Sequence, residues 1–290
     1  MSGEDPFLPF LQWALPRLGK RWAGFRRVRG QVESRLTERL RALGLRSLGA
    51  YREYLQAHPG EWARLDALCR ITVSRFYRDP AVFDRVQDEL LTVARRHREH
   101  GRPRLRAWSV GAASGEEPYT LRILWRHALR DRVGGLPLHV TATEVQPHMR
   151  RRARRACYSS GSLTALPDGW VDRAFAYDPA RDDGPHAEPY VLRPVYRRRI
   201  TWRADDLRAS MPDGPFALLC CRNLAFTYFD ASLQRWTLRR LLARLRPGGL
   251  LLVGADESLP DGDWPLARLH EGGLFRVAPQ QGAHTRRTLR

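Results

Sequence analysis

The residues best placed to do chemistry lie in one short stretch, Trp108-Ser109-Val110-Gly111-Ala112-Ala113-Ser114-Gly115-Glu116-Glu117-Pro118-Tyr119. An apolar run leads into Gly, Ala and Ser, then into a helix with Pro118 in its first turn. Small residues let a backbone approach a ligand closely, and a helix start offers unpaired N–H groups. The spacing is neither GxGxxG nor a Lys-bearing phosphate loop. Glu116 and Glu117 would repel phosphates and suit a cationic or amino-bearing ligand. Taken alone, the loop reads equally well as a tight strand–helix turn with acids favoured by the helix dipole. About thirty residues on, Thr141-Ala142-Thr143-Glu144 puts a carboxylate at the tip of the next strand. There a Rossmann-like domain holds ribose hydroxyls; the plainer reading of Glu144 is a cap for the following helix. Loop and tip acid together point to a nucleoside cofactor.

These residues need a scaffold of alternating strands and helices. Leu105 to Val110, Leu138 to Thr143, Phe216 to Cys221 and Leu250 to Val253 read as strands. Glu116 to Leu129, a basic segment ending near Ala156, and Ser232 to Leu245 read as helices, with Arg246-Pro247-Gly248-Gly249 as a turn. This alternation predicts a parallel, doubly wound sheet. Tyr190, Leu192, Val195, Ile200 and Trp202 predict short antiparallel strands of an insert, at about 158–203.

Upstream, the texture is helical. Val28, Val32, Leu36, Leu40 and Leu43 recur at spacings of three and four, with Gly44 as the expected C-cap. Arg35, Arg39 and Arg46 fall off that stripe. Leu48 to Leu55 and Glu61 to Leu68 follow as helices, then a less regular Ile71 to Arg78, then a helix over Ala81 to Arg98 opened by Asp79-Pro80. The segment Phe7 to Leu18, cut by Pro9 and Pro16, reads as a docking segment or short helix. The fold class is therefore α/β. A small N-terminal helical domain (1–78) precedes a Rossmann-like domain (79–278) with its small β insert, and a flexible tail (279–290) ends the chain.

Composition narrows the function. The 290 residues hold 50 basic and 31 acidic side chains, a net charge of +19. Of the basic residues, only Lys20 is a lysine. The excess suits an acidic partner or a polyanion, though the arginine skew also fits a GC-rich genome. A nucleic-acid binder is expected to interleave exposed aromatics with its arginines, and Arg150, Arg151, Arg152, Arg154 and Arg155 lack them. No apolar run of membrane-spanning length occurs, and the first ten residues lack the basic start of a secretory signal. Cys69, Cys157, Cys220 and Cys221 form no CxxC pair and the histidines no HxxxH pair. No metal site is expected, and the thiols fit a reducing cytoplasm.

Several ordered motifs then converge. Arg35-Leu36 and Arg39 to Leu45, Ser74-Arg75-Phe76-Tyr77-Arg78-Asp79, Trp108 to Tyr119, Cys221-Arg222-Asn223 with Tyr228-Phe229-Asp230, Arg246 to Gly249 and Glu257-Ser258-Leu259 lie at consistent intervals. Over about residues 20 to 260 the chain resembles the chemotaxis-receptor methyltransferases, the CheR family of protein-glutamate O-methyltransferases. The resemblance implies S-adenosylmethionine as cofactor and S-adenosylhomocysteine as product. It implies cofactor contacts from Thr72, Ser74, Arg78, Gly111, Ala112, Glu116, Glu117, Glu144, Asp206, Leu207, Arg222 and Asn223. It places Arg78 and Tyr228 near the reaction centre, where orienting the acceptor carboxylate is the expected role. Tyr228 and Phe229 read equally as packing residues.

The resemblance further implies an acidic helical partner, such as a chemoreceptor cytoplasmic domain, met by Arg35, Arg39, Arg41 and Arg46. The protein is expected to be a cytoplasmic monomer. Four departures from the family pattern stand out: Thr72 for Asn, Ser74 for Thr, Glu144 for Asp, and Asp206 for Asn. One extra residue also separates Asn223 from Tyr228. A glutamate acceptor is already ionised near neutral pH, so the reading nominates no general base. Two other readings remain open: a methyltransferase for another carboxylate, and a non-catalytic module that binds the cofactor or nucleic acid.

Overall fold

The computed structural model describes residues 6–278. The tail at 279–290 and the first five residues lie outside them. The chain divides into two units, one formed by residues up to Val73 with Asn223–Thr237, the other by Ser74–Arg222 with the chain from Leu238 onward.

The first unit opens with α1 (Phe7–Arg17), a 3₁₀ segment (Trp22–Val28) and α2 (Arg29–Ala42). Val32 and Leu36 of the predicted stripe are fully buried. Gly44, at φ +68°, closes α2, with its N–H on Arg41 O and that of Leu45 on Leu40 O. A Cβ is disfavoured in that left-handed conformation, which is why the glycine stands there. Next come α3 (Leu48–Ala57), capped by the Ser47 hydroxyl on Ala50 N–H, and α4 (Glu61–Leu68). Phe10, Leu11, Leu15, Phe25, Tyr51, Leu55 and Leu65 fill the core.

The second unit begins after Ser74 with α5 (Pro80–Glu99) and β1 (Leu105–Val110), then α6 (Glu116–Leu124) and β2 (Leu138–Thr143). The helix predicted to run to Leu129 changes character at Trp125, where a π-turn takes over to Leu129. Then follow α7 (Pro147–Arg155), β3 (Cys157–Tyr158), α8 (Trp170–Ala174), β4 (Phe175–Tyr177), β5 (Tyr190–Leu192), α9 (Pro194–Arg197), β6 (Ile200–Arg203) and β7 (Phe216–Cys221). The chain passes through α10 (Ala225–Tyr228), within the first unit, and α11 (Ala231–Leu242). It ends with β8 (Leu245–Val253), β9 (Leu266–His270) and β10 (Leu274–Val277).

The main sheet runs β6-β2-β1-β7-β8-β10-β9. Neighbours from β6 to β8 are parallel; β10 is antiparallel to both β8 and β9. From β1 the chain builds outward to β2 and β6, then returns to lay β7 and β8 on the other side. The strand order therefore reverses between β1 and β7, and the crevice at their carboxyl ends is where such sheets bind ligands. A three-stranded antiparallel sheet, β3-β5-β4, stands apart.

Three local expectations are corrected. Ile200 and Trp202 belong to no antiparallel insert strand: they pair in parallel with Val140 and Ala142 at the edge of the main sheet. Val195 lies in the α9 turn that starts at Pro194. The residues 246–249 are absorbed into β8 as a bulge, since Leu245 pairs with Phe216 and Leu250 already with Leu218. Gly248 at φ +70° accommodates that kink. All four cysteines are buried, and none is in a disulfide. Among the described residues no helix is long and apolar enough to cross a membrane.

Candidate active site

The loop after β1 is held open by its own hydrogen bonds and by β2. Ala112 N–H donates to Thr143 O at 3.0 Å, and Ala113 N–H to the Glu144 carboxylate at 3.0 Å. The other Glu144 oxygen accepts from Gln146 N–H at 2.8 Å, ahead of α7. Glu144 thus does cap the following segment, as the plainer reading had it, while its second oxygen fixes the loop. Ala113 sits at φ +46°, a conformation that costs a non-glycine residue about 1 kcal/mol or more and persists where contacts over-determine it. Gly115, at φ +100°, turns the chain into α6. A Cβ there would meet the Tyr119 ring at 2.8 Å and the Tyr158 hydroxyl at 3.1 Å.

Two carboxylates close the loop. Glu116 is 3% exposed. One oxygen accepts from the Ser114 hydroxyl at 2.8 Å; the other, Oε2, is buried with no hydrogen-bond partner among the described residues. Burial raises its pKa, against the opposing pull of Ser114, its own backbone amide, Arg152 and Ser74. Glu117 accepts from the Ser109 hydroxyl at 2.6 Å and lies 3.8 Å from Arg222 Nη1. Burial raises its pKa too, with Arg222, Ser109 and Arg78 favouring the charge. An unpartnered carboxylate oxygen costs about 1–3 kcal/mol or more in such surroundings. It is tolerated where a cation completes it.

Arg222 directly follows β7, with a side chain 6% exposed. Its Nη2 donates to the Arg78 carbonyl at 2.9 Å and to the Asp79 carboxylate, and its plane lies over Phe83 at 5.2 Å. Its Nε is buried without a partner. The structure therefore brings together Ser74, Arg78, Glu116, Glu117 and Arg222 around the start of α6. Gly111, Ala112 and Glu144 frame the loop itself.

Asp206 and Leu207 follow β6. Asp206 does not stand as a lone charge: the Arg208 backbone N–H and Nε reach one oxygen at 2.9 and 3.0 Å, and Nη2 the other at 2.8 Å. The charge expected from an Asp in place of an amide is thereby neutralised locally. Thr72, Asn223 and Tyr228 fall in the first unit. There Asn223 is left-handed at φ +52°, and Tyr228 packs on Phe25 with ring centroids 4.9 Å apart.

The four arginines expected to meet a partner divide into two pairs. Arg35 donates to the carbonyls of Leu68 and Arg70, at 3.1 and 2.7 Å. Arg39 forms a two-pronged bond to Glu61, at 2.9 and 2.7 Å, and Glu61 also accepts from Tyr51. Arg41 and Arg46 are exposed.

Sequence reasoning passed over Ser109, Ser114, Asp79, Tyr158 and Arg208. Ser109 and Ser114 lie inside the loop motif and were legible there as hydroxyls beside carboxylates. Tyr158, whose hydroxyl donates to Ser114 O at 2.7 Å, carried no local signal.

The geometry describes a loop and acidic pair suited to a ligand with cationic and amino groups, at the switch point of a parallel sheet. Residues 72–268 match the CheR methyltransferase S-adenosylmethionine-binding domain, and residues 28–66 the CheR all-alpha domain. The chain belongs to the CheR methyltransferase family. The chemotaxis protein methyltransferase of Escherichia coli (strain K12) is 31% identical to it over 236 residues, 79% of this chain and 77% of that one. The one from Klebsiella aerogenes is 31% identical over 238 residues, 79% and 76% of the two chains. Chemotaxis protein methyltransferase 2 of Pseudomonas aeruginosa is 31% identical over 231 residues, 78% of each. This CheR-family chain is an S-adenosylmethionine-dependent methyltransferase. The orphaned Glu116 oxygen fits that cofactor, which carries both a sulfonium and an ammonium.

Proposed function

We propose that this CheR-family chain methylates glutamate side chains of a chemoreceptor-like protein. The observation that carries the reading is the Glu116–Glu117 pair, in which buried Glu116 has one carboxylate oxygen without a partner among the described residues, in a chain about 31% identical to chemotaxis protein methyltransferases. Glu116 and Glu117 bind the cationic part of the cofactor. Gly111 and Ala112 let it approach the backbone, and Glu144 holds the loop and faces the ribose. Leu207 and the Asp206–Arg208 pair border the adenine. Ser74 orients Glu116.

S-adenosylmethionine supplies an electrophilic methyl: an acceptor carboxylate oxygen forms the new C–O bond as the methyl–sulfur bond breaks and sulfur keeps the pair. No proton moves, because the acceptor is already ionised near neutral pH. The chain must therefore bring the acceptor in line and exclude water. Arg78 is the group we assign to orienting the acceptor carboxylate; its backbone is fixed by Arg222. The net charge of +19 draws acidic helical substrates electrostatically, with Arg41 and Arg46 as free contributors on the helical unit.

The test is transfer of tritiated methyl to a purified chemoreceptor cytoplasmic domain and to its Glu→Gln variant. Base-labile label on the first and none on the second is the expected result. Label on neither, with S-adenosylhomocysteine still bound, would move the reading to a different acceptor.

A further inference from the structure

The opposite end of the main sheet carries a second concavity that the methyltransferase chemistry does not use. It lies at the amino-terminal ends of β1, β7 and β8, a strand length of about 17 Å from the cofactor loop by the rise of a six-residue strand. Its volume is about 200 Å³, and its lining includes His97 and four arginines, Arg102, Arg104, Arg106 and Arg246. No carboxylate lines it.

The four guanidinium groups are disposed in two ways. Two are fixed. Arg106 donates to the carbonyls of Gly214 and Asp213, at 3.1 and 2.7 Å, and lies over the Phe216 ring at 4.6 Å. Arg246 donates from Nη1 to His97 Nδ1. His97, only 7% exposed, reaches the Arg104 carbonyl from Nε2 at 2.7 Å. Serving both partners requires the neutral Nε2–H tautomer, so the imidazole acts as a bracket for Arg246. The other two, Arg102 and Arg104, are exposed, and their guanidinium groups have no hydrogen-bond or ion-pair partner among the described residues.

Like charges crowd this space. Burial and the neighbouring Arg102 lower the pKa of Arg246; burial and Arg104 lower that of Arg106, with Asp213 the acid that opposes it. A preformed pair of arginines beside two free ones is the donor set for an anion with several oxygens. Guanidinium forks match phosphate bidentately and stay charged throughout. The cavity is smaller than the roughly 300–1,000 Å³ of sites that enclose a drug-sized ligand. It therefore admits an anionic head and leaves the rest of the ligand outside.

We infer that this pocket binds a small phosphate-bearing ligand through Arg102, Arg104, Arg106 and Arg246. Calorimetric titration with inorganic pyrophosphate, and separately with ATP, tests it on the full chain and on the R102Q/R104Q variant. Those two side chains are exposed and unpaired, so the variant keeps its fold. An unchanged affinity for S-adenosylhomocysteine verifies that. Pyrophosphate is expected to bind with a dissociation constant of about 1 mM or tighter, and the variant to lose at least about tenfold. The His97 ring signals in NMR should move with pyrophosphate in the parent and not in the variant. ATP binding no tighter than pyrophosphate supports capture of the anionic head alone. Absence of pyrophosphate binding, or equal binding by the variant, would overturn the inference. So would duplex DNA binding that strengthens with length and is not displaced by pyrophosphate.

Discussion

The Glu144 carboxylate, at the carboxyl end of β2, accepts the backbone N–H of Ala113 in the loop after β1, at 3.0 Å. One side chain thereby ties together the tips of two adjacent parallel strands, and it does so at the residue whose backbone is left-handed. The clamp explains how a loop of small residues keeps one shape without side chains of its own to pack.

Glu144→Ala should therefore weaken S-adenosylhomocysteine binding by at least about tenfold and lower stability by about 1–3 kcal/mol, the cost of unsatisfied buried N–H groups. Glu144→Gln should fall between, because its amide oxygen can serve one N–H and its NH₂ cannot serve the other. Calorimetry and denaturant unfolding of the three proteins check the order. Equal affinity in all three would dissociate the clamp from binding.

Glu116 and Glu117 should make the ligand-free protein sensitive to pH. Burial raises both pKa values in the folded state, so the folded form holds protons that the unfolded chain releases near pH 4.3. The stability linked to them is fully present below that pH and declines as pH rises through the folded values. Glu116→Gln removes one such group. Its melting temperature should match the parent at about pH 4 and exceed it near pH 7, while its affinity for S-adenosylmethionine drops. A variant less stable than the parent at pH 7 would contradict the assignment.

Gly115→Ala should be poorly tolerated. At φ +100° with the Tyr119 ring 2.8 Å from a new Cβ, strain and clash combine to about 2 kcal/mol or more. The expected signature is loss of cofactor affinity with a lowered melting point, and Gly115→Ser should do no better.

In the helical unit, Arg39→Ala should destabilise by about 1–3 kcal/mol, because it strips two of the hydrogen bonds from a buried Glu61. The hydrogen bonds from Arg39 and Tyr51 hold the Glu61 pKa low, so the contribution is present at neutral pH and fades as pH falls through the folded value. Arg41→Ala should change stability by less than about 0.5 kcal/mol. Its effect, if Arg41 meets an acidic substrate, is on KM at low ionic strength. Chemical denaturation and methyl-transfer kinetics separate the two residues.

What the sequence disclosed followed the reach of local pattern. Glu61–Leu68, Leu138–Thr143 and Phe216–Cys221 were legible to the residue, because each carries an unbroken period between clear breaks. Glu144 at the strand tip was legible for the same reason. Ile200–Arg203 was not: its partner strand lies some sixty residues earlier, and four half-exposed residues look alike in an edge strand and a hairpin. The β9–β10 hairpin went unread because alternation is weak in an exposed edge strand. Arg35 and Arg39 read as charges for a protein partner, since the groups they bond inside the chain stand 22 to 35 residues away. Type and spacing located the loop, but only folding could reveal which arginines are already committed.

Tyr158 belongs to the small antiparallel sheet, yet its hydroxyl ends on the Ser114 carbonyl. The insert is therefore not a detachable module. Cutting it out, or grafting another in its place, would remove a strut from beneath the cofactor loop. A replacement that lacks the tyrosine would leave the Ser114 carbonyl without this hydrogen bond and loosen the loop to which we assign the methyl donor.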